Sequence, residues 1–244
     1  MLALHGYTGC GEDFTKFSPF CGSEYSWTCP DLPGHGPAPK LDCSPESVVD
    51  FIQSHRLDRP RVLLGYSMGA RAALLHALAH PRHWEAVVLI SGNPGIEDTI
   101  ERHQRVASDH GLADKILHDG VPSFLDAWQQ TPMIRSQQNI RVDWRTDMLA
   151  NRLQQTAAGL AQSLQQFGLA SCPNLWPKLA QLSCPTLIIS GELDTKYSLI
   201  AQRMTQTLAQ AKWASIPRVG HMPHLEAPEA TGLVIRNFLS ELFV

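Results

Sequence analysis

The sequence predicts an α/β fold, a mostly parallel sheet flanked by helices and interrupted by a helical insertion, and three observations predict it. Short apolar runs alternate with helical patterns towards both ends of the chain. Between about residues 97 and 180 no strand pattern occurs, and helical and polar segments dominate. At 63–71, LLGYSMGAR sets a serine between two glycines where an apolar run gives way to a helical one. At 244 residues the chain can bury a sizeable core.

The apolar runs MLAL (1–4), RVLLG (61–65), AVVLIS (86–91) and PTLIIS (185–190) are apolar at consecutive positions, as expected of parallel strands covered on both faces. YSWTCPDLPG (25–34) and KWASIP (212–217) are weaker strand candidates. Helices are expected over SMGARAALLHALAH (67–80) and PEATGLVIRNFLSELF (228–243). Inside the insertion, MLANRLQQTAAGLAQSLQQFG (148–168) carries Leu149, Leu153, Ala157, Leu160, Leu164 and Phe167 at steps of four and three, predicting one amphipathic helix. Prolines at 122, 132, 173 and 177 punctuate this region. The expected organisation is a core of residues 1–96 and 181–244, with 97–180 as a helical lid over the C-terminal ends of the strands.

Composition excludes several classes of partner. A formal net charge of −3 and 18% charged residues give no electrostatic case for nucleic acid or an anionic membrane surface. No apolar stretch approaches the roughly 20 residues that span a bilayer. MLALHGYTG lacks the basic start and long apolar run of a secretory signal. The six cysteines form no CxxC pair, so reduced thiols and a cytoplasmic location are expected. The eleven histidines are scattered, and no metal site is expected from them.

GYSMG fits the turn that exposes a nucleophilic serine, Ser67, between a strand and a helix. The glycines allow a strained turn, and the helix N-terminus beneath it favours developing negative charge. Such a serine needs an acid after a later strand and a histidine near the C-terminus. LIISGELD supplies Asp194, with Glu192 as rival; VGHMPHLEAPE supplies His221, with His224 as rival. Distance from the strand ends favours Asp194 and His221. Two backbone donors for an oxyanion are expected at Met68, beside the serine, and at Tyr7 in HGYTGCG.

The basic residues pose a separate question. Arg71 lies four residues after Ser67, so it shares a face with the serine at a helix start, where a cation needs a compensating anion. Arg102 and Arg105, three apart in IERHQR, can face one side, and Arg152 borders the apolar stripe of the amphipathic helix. Singly, each of the last three reads as a solvated charge. Together with Arg71 they point to a pocket for more than one carboxylate, which arginine binds with a planar fork.

The segments LHGYTGCGEDF, DLPGHG, GYSMGAR, ISGNPGIED, ERHQR, DAWQQTP, ANRLQQTAAGLAQSL and GELDTKY, in this order, resemble the 2-succinyl-6-hydroxy-2,4-cyclohexadiene-1-carboxylate synthases. These are lyases of menaquinone and phylloquinone biosynthesis with the α/β-hydrolase fold. The resemblance implies a 2,5-elimination of pyruvate from an enolpyruvyl cyclohexene tricarboxylate, with Ser67, activated by His221 and Asp194, taking a ring proton. It implies that Arg71, Arg105 and Arg152, with Arg102 as a further candidate, bind substrate carboxylates, that Tyr66 and Trp128 line the pocket, and that no cofactor is needed. The family begins with a strand or two before the LHG segment, so the resemblance predicts a sheet short of its N-terminal edge. It has glycine where this chain has Ala70. The alternatives are a serine hydrolase of the same fold, which leaves the arginines without a role, and a non-catalytic small-molecule binder, which leaves the triad without one.

Overall fold

The computed structural model describes residues 1–243 except 38, 41, 56 and 58. Five strands, β1 (Leu2–Leu4), β2 (Val62–Tyr66), β3 (Ala86–Ile90), β4 (Thr186–Gly191) and β5 (Ala211–Ile216), form one sheet in that order. Every neighbouring pair is parallel. The consecutive apolar residues work as a two-sided strand requires. Leu63, Val87, Leu89 and Ile188 face one core cluster, while Val62, Leu64, Val88, Ile90 and Ile189 face another.

Helices close both faces. On the first side lie α1 (Pro45–Gln53), α2 (Met68–Ala79) and α6 (Thr195–Thr207); on the second lies α8 (Pro228–Phe243), preceded by the short α7 (Pro223–Glu226). α2 is buried almost all round, which its run of alanines permits. It therefore carries Ser67 on a rigid base.

The segment 25–34 does not form a strand. Only Thr28 pairs, in a bridge to the outer side of β1, with hydrogen bonds of 2.9 Å each way to Met1 and Ala3. Pro30 and Pro33, which have no N–H, stop the ladder there.

Three helices lie between β3 and β4: α3 (Thr99–Trp128), α4 (Val142–Leu153) and α5 (Ala157–Phe167). Among the described residues this region holds no strand. α3 is kinked at Gly120, whose φ of 80° is open to glycine, two residues before Pro122. Beyond the kink Phe124 and Leu125 pack on Leu160 and Leu164 of α5, giving the insertion its own small core.

The single amphipathic helix expected over 148–168 is instead two, α4 and α5. Thr156 ends the run by accepting a hydrogen bond from the Gly159 N–H at 3.1 Å, an N-cap for α5. Gln155 turns inward, accepts from the Gly36 N–H at 2.8 Å and donates to the Gly9 carbonyl at 3.1 Å. Leu153, on the expected apolar stripe, is 55% exposed. The periodic pattern runs across a break that a polar turn, satisfied on both sides, makes favourable.

No helix among the described residues is long and apolar enough to cross a membrane. All six cysteines are unpaired thiols.

Candidate active site

β2 ends at Tyr66 and α2 begins at Met68, so Ser67 takes the whole turn, at φ 51° and ψ −107°. The glycines on either side make that turn possible by close approach. A Cβ on Gly65 would lie 2.3 Å from the Gly69 carbonyl oxygen, and one on Gly69 would lie 2.0 Å from that of Leu4. The strain at Ser67 holds its hydroxyl off the sheet, at the N-terminus of α2.

Asp194 follows β4 and His221 follows β5. The His221 Nδ1–H donates to Asp194 Oδ2 at 2.6 Å, and its Nε2 accepts from the Ser67 hydroxyl at 3.0 Å. Asp194 Oδ1 also accepts from the Tyr197 N–H at 3.4 Å, capping α6, so the carboxylate is fixed from two sides. His221 is 1% exposed, with the rings of Tyr66 and Tyr197 centred 5.6 and 4.4 Å from its own. Serine, imidazole and carboxylate thus stand in the order a proton relay needs.

The rivals lie elsewhere. Glu192 is exposed and accepts from the Arg218 N–H at 2.8 Å. His224 is fully buried between the rings of Phe14, Phe17 and Tyr66, and neither of its nitrogens has a partner. Burial pushes its imidazole down to about 3, so it is a neutral packing group. His76 on α2 and His80, which caps its C-terminus, stand four apart, a metal-pair spacing. His76 spends Nδ1 on the Trp84 indole N–H at 2.9 Å and faces Gln53 Oε1 with Nε2 at 3.1 Å. Among the described residues no group of three or more histidine, cysteine or acidic side chains is arranged to hold a metal ion.

Two more histidines shape the loop that carries Tyr7. His5 donates from Nδ1 to the Gly6 carbonyl at 2.8 Å and accepts from the Leu32 N–H at 2.9 Å. His35 donates to the Pro33 carbonyl at 3.2 Å and accepts from the Thr8 N–H at 3.3 Å. Burial lowers the affinity of both rings for a second proton, His35 to about 3, which keeps each an acceptor on one nitrogen. HGYTG and DLPGHG therefore fold as one unit, beside the serine.

A cavity of about 150 Å³ opens between the strand ends and the insertion, with Ser67 and His221 on its wall. Tyr7, Met68, Tyr66 and Trp128 line it, and so do Arg71, Arg105 and Arg152. Arg71, 7% exposed, donates to the Phe167 carbonyl at 2.7 Å and to Cys172 Sγ at 3.3 Å. Arg152, 3% exposed, donates to Gln137 Oε1 at 3.0 Å and keeps its Nε without a partner. Burial works against its charge while Asp13 supports it. Burial in turn pushes the Asp13 carboxyl up to about 6 against the pull of Arg152. Arg102 stands apart. It donates to the carbonyls of Ala170 at 2.8 Å and Cys172 at 3.4 Å, tying α3 to the segment after α5, and does not line the cavity.

Asp109, Gln137, Lys196 and Tyr197 also line the cavity and were not singled out from the sequence. Asp109 had a signal, its position four residues after Arg105 on one helix face, and Tyr197 follows Asp194 by three. Gln137, in an irregular turn, had none.

Residues 1–231 match the alpha/beta hydrolase family. A Bacillus subtilis protein, provisionally named a 2-succinyl-6-hydroxy-2,4-cyclohexadiene-1-carboxylate synthase, is 31% identical over 99% of this chain and 90% of its own length. The 2-succinyl-6-hydroxy-2,4-cyclohexadiene-1-carboxylate synthase of Serratia proteamaculans is 30% identical over 98% of this chain and 92% of its own. The solved structure of MenH from S. aureus superposes with a TM-score of 0.91 at 28% identity, covering 98% of this chain and 92% of that one.

Proposed function

The chain belongs to the 2-succinyl-6-hydroxy-2,4-cyclohexadiene-1-carboxylate synthases, menaquinone-pathway lyases of α/β-hydrolase fold, and we propose that its own residues perform that elimination as follows. The substrate is 2-succinyl-5-enolpyruvyl-6-hydroxy-3-cyclohexene-1-carboxylate, a tricarboxylate. Ser67 gives its proton to His221 Nε2 and removes the ring proton beside the succinyl ketone. Asp194 stabilises the imidazolium that forms. The Tyr7 and Met68 amides hold the enolate oxygen. The electron pair then moves through the ring double bond and expels the enolpyruvyl oxygen, breaking the carbon–oxygen bond. The departing enolate takes a proton from His221 and becomes pyruvate, and the ring is left as the conjugated diene. No acyl-enzyme forms, and no cofactor takes part.

One observation carries this reading: Arg71, Arg105 and Arg152 line the cavity that holds Ser67 and His221. Arg71 and Arg152 are buried and donate to neutral acceptors, a costly arrangement unless an anion visits them, and Arg105 is half-exposed and held only at Nε. A tricarboxylate supplies one for each. Tyr66 and Trp128 cover the ring, the helical insertion 97–180 is the lid, and the reaction takes place in the cytoplasm. Arg102 supports the lid and does not touch substrate.

The same triad would serve an esterase, so the test sets two activities of one preparation side by side. Pyruvate release from the enolpyruvyl substrate, with negligible hydrolysis of p-nitrophenyl acetate, is the expected result. Fast ester hydrolysis without pyruvate would overturn the proposal. A protein that binds the substrate but turns over neither would be a receptor.

A further inference from the structure

Among the described residues lining the cavity, four carry positive charge, Arg71, Arg105, Arg152 and Lys196, and one carries negative charge, Asp109. Its presence needs a reason. A carboxylate on the wall of a site for a trianion repels the ligand, and burial strengthens that repulsion. Asp109 is 3% exposed. Its Oδ1 accepts from Arg105 Nε at 2.8 Å. Its Oδ2 is buried and has no partner. That oxygen lies against Gly168, where a Cβ would come within 2.7 Å of it. The nearby Tyr7 hydroxyl is spent elsewhere, on the Leu160 carbonyl at 3.2 Å.

Arg105 explains the arrangement. Its side chain is 40% exposed, and Asp109 is the partner that fixes it. A long, half-exposed arginine has many rotamers, and ordering it on binding weakens affinity. Gripping it at Nε alone leaves both Nη groups free, the pair that meets a carboxylate end-on.

We propose that Asp109 is a positioning and specificity residue. It holds Arg105 by Nε so that the two Nη groups face a substrate carboxylate, and its free oxygen repels anions that enter without engaging Arg105. The inference rests on the reading of the cavity as a polycarboxylate lyase site. It assigns the arginine on the lid's first helix an orienting carboxylate that discriminates between anions.

The test is a double-substitution cycle. Affinity for the enolpyruvyl substrate is measured by calorimetry in four proteins that all carry Ser67→Ala: the parent, Asp109→Asn, Arg105→Ala, and both together. Turnover is not needed, so pyruvate release by the unaltered triad tests the reaction separately. Asp109→Asn is expected to weaken binding about tenfold when Arg105 is present, equivalent to about 1.4 kcal/mol. With Arg105 absent, the same change is expected to tighten binding several-fold, because only repulsion remains to be lost. That reversal of sign is what a merely structural role would not produce. Weakening in both backgrounds, tightening in both, or no change in the parent overturns the proposal. No change in the Arg105→Ala background removes the role of the free oxygen. Absence of substrate binding by the parent overturns the inference together with the reading it rests on. Should Asp109→Asn fail to fold, Asp109→Ser, smaller and uncharged, takes its place in the same cycle.

Discussion

On the sheet side of the cavity three polar groups are already paired: Ser67 with His221 at 3.0 Å, His221 with Asp194 at 2.6 Å. On the insertion side the cations hold substitutes. Arg71 rests on a carbonyl and a thiol, Arg152 on an amide, and Arg105 on a carboxylate with one idle oxygen. The difference separates two tasks. On the reading proposed above, proton transfer needs geometry that does not reorganise during reaction, and Ser67, His221 and Asp194 stand at strand ends and on a strained turn. On the same reading, anion capture needs partners that yield or leave donors free: neutral acceptors for Arg71 and Arg152, and a carboxylate that grips Arg105 only at Nε.

Breaking the sheet side should cost the most. Ser67→Ala is expected to lower kcat by roughly four to six orders of magnitude while substrate affinity stays within a small factor. Single-turnover pyruvate release and calorimetry check the two halves, and an unchanged rate would move the chemistry to another residue. Arg71→Ala breaks the other side. Its expected loss is about 2–4 kcal/mol in kcat/KM for the tricarboxylate. A loss below ~0.5 kcal/mol would mean that substrate does not meet this cation.

A third measurement reads the seam between the sides, where Asp13 lies under Arg152. The Asp13 carboxyl is pushed up to about 6 from its ordinary 3.8. Between these values the folded protein keeps the proton while the unfolded chain has lost it, so folding takes up a proton and stability falls as pH rises. Below about pH 4 and above about pH 6 this contribution is level. Relative to an Asp13→Asn variant, the protein is expected to lose about 2–3 kcal/mol of stability across that window. Urea unfolding at several pH values measures it. Arg152→Ala, which removes the opposing cation, should enlarge the loss and carry it to higher pH; an unchanged loss would show that the two groups do not interact. The smallest effect is expected from Glu192→Gln. This acid faces Arg218 and not His221, so kcat/KM should stay within about twofold. A larger drop would reopen the choice of acid.

The sequence made the sheet legible because parallel strands covered on both faces must be apolar at consecutive positions, and RVLLG, AVVLIS and PTLIIS are. The hydrogen-bonded arrangement of Ser67, His221 and Asp194 was legible because its members fall after strands in a fixed order. Rejecting His224 required three dimensions, since only the ring cage of Phe14, Phe17 and Tyr66 shows that it is walled off. The 148–168 segment misled because the apolar steps of α4 and α5 keep one rhythm through the break, although the two helices pack into different clusters. What ends the first of them is Gln155, reaching two loops more than 110 residues away, and no local pattern announces that. Arg102 and Arg105 look alike in sequence. One meets carbonyls and the other the cavity, a distinction set by which turn of α3 touches the segment after α5.

Arg71 sits on the helix that follows Ser67, yet the atoms that receive its hydrogen bonds belong to residues 167 and 172, inside the insertion. The consequence concerns recombination. A chimera that keeps this sheet and takes its insertion from another hydrolase would carry the cation without its acceptors, and would bury an unsatisfied guanidinium beside an intact triad. An insertion from another hydrolase is therefore not freely exchangeable onto this scaffold. The transferable unit is the insertion together with position 71, and a graft that ignores this should yield a folded but leaky catalyst or none at all.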